Sequence, residues 1–146
     1  MTKTLTGSCQ CSAVRYGVTG VLPAAYACHC GACKKQSASA FSMSIALEWS
    51  RLEAVGEIAI HETTAFSGAR KIACFCPQCG TRMWHRSAPD SAWITLKGGT
   101  LHDARHLTPR GHLWVSQKQP WIILEPALPA FETQPDDVQA WRIALS

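Results

Sequence analysis

Eight cysteines are distributed unevenly along 146 residues, and their spacing is the first chemical signal in the chain. They fall as a pair at Cys9 and Cys11, a trio at Cys28, Cys30 and Cys33, a lone Cys74, and a second pair at Cys76 and Cys79. Cys76-Pro77-Gln78-Cys79-Gly80 has the form of a zinc knuckle. Two thiolates on a tight turn bite one metal, backbone N–H groups around the turn stabilise the sulfur charge, and Gly80 permits the positive φ such turns often need. A thioredoxin-like redox pair uses the same C-x-x-C, but it normally opens a helix after a strand within βαβ units, and no such units are visible. One knuckle supplies two ligands where a structural Zn²⁺ takes four. Cys9-Gln10-Cys11 is the natural partner, because its i, i+2 spacing can turn two thiols to one side and the pairing joins the two ends of the core. Cys28, Cys30 and Cys33 then remain as a three-thiolate set. Three protein ligands with an open fourth position is the arrangement of a catalytic zinc, where substrate or water completes the tetrahedron. The alternative is a closed second site with Cys74 as fourth ligand. Against it, Cys74 lies two residues from Cys76 on what reads as a strand, which puts it near the structural metal or in the core, where free cysteine is common.

The elements that must position these thiols read as short strands. Residues 14–18 follow the first pair, and in FSMSIAL (41–47) Phe41, Met43, Ile45 and Leu47 alternate with small or polar residues as in a half-buried strand. Further pieces lie at residues 57–61, 71–76, 82–85, 93–96 and 112–115, separated by Gly or Pro turns such as 97–100 and 108–111. GACKKQ, directly behind the trio, reads as a single helical turn. A longer helix is expected in the C-terminal DDVQAWRIALS, with Asp136 or Asp137 as its cap and Val138, Trp141 and Leu145 on one face. The pattern predicts a mostly β chain with a short C-terminal helix packed on its surface. With no repeat, low-complexity segment or linker in view, residues 1–146 read as one domain.

Composition narrows the class. Apolar residues make up 47% and charged residues 16%, too hydrophobic for a disordered chain. No apolar run approaches the roughly 18 residues of a membrane helix, and MTKTLTGSCQ lacks the apolar stretch of a secretory leader. A cytoplasmic protein is expected, and in that reducing compartment clustered thiols hold metal or do chemistry more often than they form disulfides. The formal charge of +4 falls to +1 once seven thiolates and two Zn²⁺ are counted. No run of Lys or Arg exceeds two residues, which argues against a nucleic-acid partner.

Several segments together resemble the glutathione-dependent formaldehyde-activating enzyme family, which also includes centromere protein V. They are GSCQCSAVRY (7–16), CHCGACKKQSASAF (28–41), ARKIACFCPQCGTRMW (69–84), HLWVSQKQPW (112–121) and LPAFE (128–132). The resemblance implies a β-tent type fold of small twisted antiparallel sheets organised around zinc. It implies a structural zinc on Cys9, Cys11, Cys76 and Cys79 and a catalytic zinc on Cys28, Cys30 and Cys33. It also implies a carbon–sulfur lyase that joins formaldehyde to glutathione, or another small thiol to a small aldehyde, or runs the reverse. A thiol entering the open position of a three-thiolate zinc loses its proton, and the thiolate is the nucleophile that attacks a carbonyl carbon. The competing reading is a non-catalytic zinc module for protein or nucleic-acid interaction. The absence of a long basic tail favours the enzyme. A redox-sensing protein, with the trio unmetallated, is a third reading.

Around this expected site, His29 sits between two ligands, and in C-H-C the middle side chain points away from a metal its neighbours share, so it reads as a support for them. His85, His102, His106 and His112 read as surface or hydrogen-bonded residues. Lys34, Lys35 and Lys118 are candidates to meet a glutathione carboxylate, although any one lysine is most often solvated. Trp84, Trp114 and Trp121 read as core or pocket wall. Gln36, Ser37, Ser39 and Phe41, directly after the trio, are the expected substrate wall.

Overall fold

Ten short strands and two helices follow one another along residues 4–146, the residues that the computed structural model describes. The reading that the chain opens without an apolar leader falls partly on residues 1–3, outside the described residues. β1 (Leu5–Ser8), β2 (Arg15–Val18) and β5 (Leu52–Val55) form a three-stranded antiparallel sheet in the order β1-β2-β5. A seven-stranded sheet contains β3 (Tyr26–Cys28), β4 (Ser42–Glu48), β6 (Ala59–Thr64), β7 (Arg70–Phe75), β8 (Arg82–Arg86), β9 (Trp93–Lys97) and β10 (His112–Leu113). Its order is β10-β3-β4-β9-β8-β7-β6, antiparallel throughout except for the short parallel ladder between β10 and β3. The helices are α1 (Gly31–Ser37) and α2 (Val138–Leu145). The fold is mostly β with a short C-terminal helix, as the sequence pattern predicts. Among the described residues no helix is long and apolar enough to cross a membrane.

Side-chain alternation gives the larger sheet two different faces. One sends Ile45, Leu47, Ile72, Cys74, Ile94 and Leu96 into the main core, where Tyr16, Val18 and Leu52 of the smaller sheet meet them. Each such large aliphatic contributes roughly 1.5–3 kcal/mol on burial. The other face is polar and also covered. Ser42, Ser44 and Ala46 are buried along with Ile45 and Leu47, so β4 is enclosed on both sides and the expected half-buried strand is corrected. Residues paired across the ladders share a face, which sets Cys28 beside Ser42, Tyr26 beside Ser44 and Lys97, and Ala46 beside Thr95, His85 and Ala73.

A second cluster accounts for that cover: Cys28, Cys30 and Cys33 pack with Leu113, Trp141 and Leu145, flanked by Tyr26 and Phe131. Asp137 caps α2 by accepting from the N–H of Ala140 at 3.0 Å, and Trp141 meets Tyr26 and Phe131 edge-on at 5.7 and 5.3 Å between ring centroids. Val138, expected on the buried face, is exposed at the first turn. Residues 112–115 do not form one strand. β10 stops at Leu113, Trp114 adopts φ 58°, and a 3-10 turn follows, because the N–H groups of Trp114 and Val115 donate to the carbonyls of Thr133 and Phe131. Trp121 is 70% exposed and lies outside any strand, so its reading as core or pocket wall is also corrected.

Candidate metal centres and the cavities beside them

The loop after β1 carries Cys9 and Cys11, and the loop after β7 carries Cys76 and Cys79. Their four Sγ atoms lie within 4.8 Å of one another. Two sulfurs each about 2.3 Å from a tetrahedral zinc lie about 3.8 Å apart. Cys9 to Cys11 is 3.6 Å and Cys11 to Cys76 is 3.8 Å, so this donor set fits such an ion. Gly80 adopts the positive φ, 76°, that the knuckle was expected to need. The hydroxyl of Thr81, 3.2 Å from the Cys79 sulfur, and its N–H hold the Cys79 thiol down to about 5, and the same hydroxyl accepts from the N–H of Gln10, tying the two loops together. The N–H of Val14 donates to the Cys9 sulfur at 3.3 Å.

The trio is assembled where β3 runs into α1. Cys28 ends the strand, Cys30 is the N-cap of the helix, and Cys33 lies in its first turn, its N–H donating to the Cys30 sulfur at 3.3 Å. All three are buried and their sulfurs lie within 4.8 Å of one another. The neighbouring Cys28 and Cys33 thiols, then the N–H groups of Cys33 and Ala32, hold Cys30 far below the ordinary thiol range. The same closeness drives Cys28 up, with Cys30 the largest cause. Three thiols this close repel one another as thiolates, and a cation between them is what would let all three ionise, so the donor set fits a bound metal ion. No fourth His, Cys, Asp or Glu joins the trio among the described residues. Cys74 lies in the main core with its thiol 3.9 Å from the Ile72 carbonyl, in neither cluster.

His29 is fully buried and turned to the fold, with Nε2 3.0 Å from His112 Nδ1 and its ring against Phe41. Burial pushes it down to about 4 and also lowers His112. His102 lies between Thr6 and Ser8, and His106 beside Asp103.

A cavity of about 110 Å³ opens beside the trio, bordered by Gln36, Lys71, Arg82 and His85 and by Phe66 and Trp114, whose rings lie 5.8 Å apart. A larger one, about 620 Å³, contains all four residues of the expected substrate wall, Gln36, Ser37, Ser39 and Phe41, together with Arg82 and Lys97. Gln36 and Arg82 border both. Arg82 Nη1 donates to Gln36 Oε1 at 3.1 Å, and Gln36 Nε2 donates to the Cys33 sulfur at 3.5 Å. Lys71 Nζ donates to His85 Nε2 at 2.9 Å, and Lys97 Nζ to the Ser42 hydroxyl at 3.1 Å. Burial pushes both lysines down while the trio's thiols push them up, and burial first, then the Lys97 and Lys71 charges, holds His85 well below its ordinary value.

Lys71, Arg82, His85 and Lys97 are the residues that sequence reasoning did not bring to the site. For Lys71 and Lys97 the signal was phase: Lys71 alternates with Ile72 and Cys74, and Lys97 with Leu96, so each must face away from the main core, whereas Arg82 shares the phase of the core residue Trp84 and is placed by the bulge between Cys74 and Phe75. Lys34, one of three candidates to meet a substrate carboxylate, donates to the Gln117 carbonyl at 2.7 Å and Gln119 Oε1 at 3.1 Å, bracing α1. Lys35 is exposed and Lys118 half-buried.

A sequence profile for glutathione-dependent formaldehyde-activating enzyme matches residues 4–117. Among solved structures, the chain is similar to the crystal structure of a Rhodobacter sphaeroides protein, with a TM-score of 0.53 and 15% identity over 87% of this chain and 99% of that one, a likeness of fold. No curated protein gives a significant match. Because the matched segment takes in all eight cysteines together with Lys71, Arg82, His85 and Lys97, the chain belongs to the glutathione-dependent formaldehyde-activating enzyme family.

Proposed function

We propose that the protein is a zinc-dependent carbon–sulfur lyase that adds a small thiol, such as glutathione, to formaldehyde or another small aldehyde, or cleaves the adduct. The observation that supports this most is a buried set of three thiols with no fourth protein ligand among the described residues, opening on a cavity bordered by cations. Zinc held by Cys28, Cys30 and Cys33 supplies the charge that lets an incoming thiol ionise at neutral pH. Cys9, Cys11, Cys76 and Cys79 hold a second, structural zinc. Gln36 steadies the Cys33 sulfur, and Phe66 and Trp114 give the smaller cavity an aromatic border. That cavity admits only a small carbonyl compound. As the sulfur–carbon bond forms, the π pair of the carbonyl moves to its oxygen, and Lys71 offers the N–H and the positive charge that this oxygen needs. His85, held neutral by burial, fixes the Lys71 ammonium. The eight free cysteines suit a reducing compartment such as the cytoplasm, and residues 1–146 act as one domain.

Metal analysis should find two equivalents of zinc. In the cobalt-substituted protein, glutathione should add a sulfur to one metal and change its thiolate charge-transfer bands. The rate of adduct formation from glutathione and formaldehyde, followed by NMR, should rise in proportion to protein. A trio that already has four protein ligands, or a fully metallated protein that leaves the rate at its uncatalysed value, would point instead to a non-catalytic binding module.

A further inference from the structure

Among the described residues two ion pairs occur, Arg70 with Glu62 and His106 with Asp103, and both are exposed. Lys71, Arg82 and Lys97 therefore have no carboxylate partner. Arg82, half-buried at the start of β8, gives its Nη1–H to a neutral amide instead, with Gln36 Oε1 accepting at 3.1 Å. The two residues are 46 positions apart in the chain, and the bulge between Cys74 and Phe75, which sets Arg82 opposite Phe75, brings the guanidinium there.

The sulfurs of the trio draw their donors from different places. Cys30 caps α1 and accepts from the Cys33 N–H at 3.3 Å, one of the N–H groups that the first turn of a helix leaves free. Cys33 accepts from a side chain, Gln36 Nε2 at 3.5 Å, three positions on and so on the same helix face. An amide has two ends of opposite character, however. Turned over, it would set Oε1 against the sulfur and repel a thiolate. Arg82 decides the orientation, because a guanidinium carries only donors and bonds only the oxygen, which leaves the NH₂ for the sulfur. Its charge also polarises the amide and strengthens the N–H as a donor.

We propose that Arg82 is a positioning residue that acts through Gln36: it fixes the amide so that Nε2–H donates to the Cys33 sulfur, draws charge from that thiolate, and leaves a metal at the trio the stronger acid toward an entering thiol. This inference rests on the reading of the trio as a thiol-activating metal site. Hydrogen bonds to a ligating sulfur tune the metal it holds, and a sulfur that gives up less charge makes room for that of a fourth.

Thiolate charge-transfer bands of the cobalt-substituted protein report how tightly the sulfurs hold their electrons, and subtracting the spectrum of cobalt-substituted Cys30→Ser leaves the bands of the trio. Gln36→Leu removes the donor, and Gln36→Glu keeps the shape but, ionised, offers only acceptors. Each should move these bands to longer wavelength. Arg82→Met should move them the same way in the parent and far less in the Gln36→Leu background, since its effect passes through the amide. Arg82→Lys restores a donor for Oε1 and should bring the bands back toward the parent position. A purely structural role for either residue would lower the melting temperature and leave the bands in place. In Gln36→Leu, half of the band change caused by 2-mercaptoethanol should need about tenfold more thiol. Bands unmoved by both Gln36 variants, an equal Arg82→Met shift in both backgrounds, or an unchanged thiol requirement would overturn the proposal. Parent bands that respond to no thiol would overturn thiol activation itself, whereas the shifts among the variants still decide whether Arg82 acts through Gln36.

Discussion

His85 lies inside the polar face of the larger sheet, where burial and the charges of Lys97 and Lys71 keep its imidazole neutral. In the unfolded chain the imidazole returns to its ordinary value of 6.5 and takes up a proton that the folded chain refuses. Its contribution to stability is complete above pH 6.5 and shrinks as the pH falls below that value, by at most about 1.4 kcal/mol per pH unit. The urea midpoint of the parent should therefore drop more steeply between pH 7 and 5.5 than that of His85→Gln, with metal content monitored throughout. Parallel slopes would show that His85 is not held neutral. Cys74 invites a different test. Its thiol packs in the main core, so Cys74→Ala should cost roughly 1 kcal/mol of packing and no metal. Loss of one zinc equivalent would mean that Cys74 closes the trio after all.

Elements turn these residues into a site, and the two helices do so from opposite ends of the chain. α1 begins with its N-cap sulfur inside the trio and runs seven residues rather than one turn, ending on Ala38 in the left-handed region with its N–H bonded to Lys34 and Lys35 carbonyls. α2 places Trp141 and Leu145 against the same three cysteines. Gly111 leaves just enough room for it: a Cβ there would come within 2.3 Å of the Trp141 ring and 3.3 Å of the Pro129 carbonyl. Gly111→Ala should therefore displace Trp141, lower stability by about 1–3 kcal/mol, and loosen metal at the trio more than at the four-cysteine cluster. Competition with a chromophoric chelator would read this as one equivalent released early. Simultaneous release of both would place the effect on the fold as a whole.

Across the whole molecule the two cysteine clusters carry different mechanical weight. Cys9 and Cys11 lie on the loop out of the three-stranded sheet, and Cys76 and Cys79 on the loop out of the seven-stranded one, with Cys11 and Cys76 65 positions apart in the chain. A metal there clamps the sheets together, and binding free energy becomes folding free energy. Cys79→Ser should unfold the chain or lower its Tm sharply. The trio is local, drawn from six consecutive positions at one strand end and helix start. Cys30→Ser should remove one metal, abolish thiol–aldehyde activity and nearly keep the Tm. If Cys30→Ser unfolds the chain as severely as Cys79→Ser, the trio is structural.

The cysteine spacing marked the C-x-C, C-x-C-x-x-C and C-x-x-C groups, because ligand reach on a turn or a short helix is a local property, whereas the fold decided that Cys9 and Cys11 meet Cys76 and Cys79 and that Cys74 stays outside the trio. Short runs set off by Gly or Pro turns likewise marked strands at 71–76, 82–85 and 93–96 that the structure contains, since turn chemistry is local. The three-residue β3 and the four-residue β1 and β5 were not legible, because so few positions cannot display a period and their conformation comes from partners elsewhere in the chain. Tertiary structure decided that the second face of β4 is buried, that Lys34 braces α1, and that Lys71, Arg82 and Lys97 gather near the trio without a carboxylate. Each of these depends on what another element brings across a sheet. A lysine in a strand reads the same from sequence whether water or a thiolate faces it, and only the register of β7 on β8 and β4 on β9, with α1 closing over them, set the thiolates there.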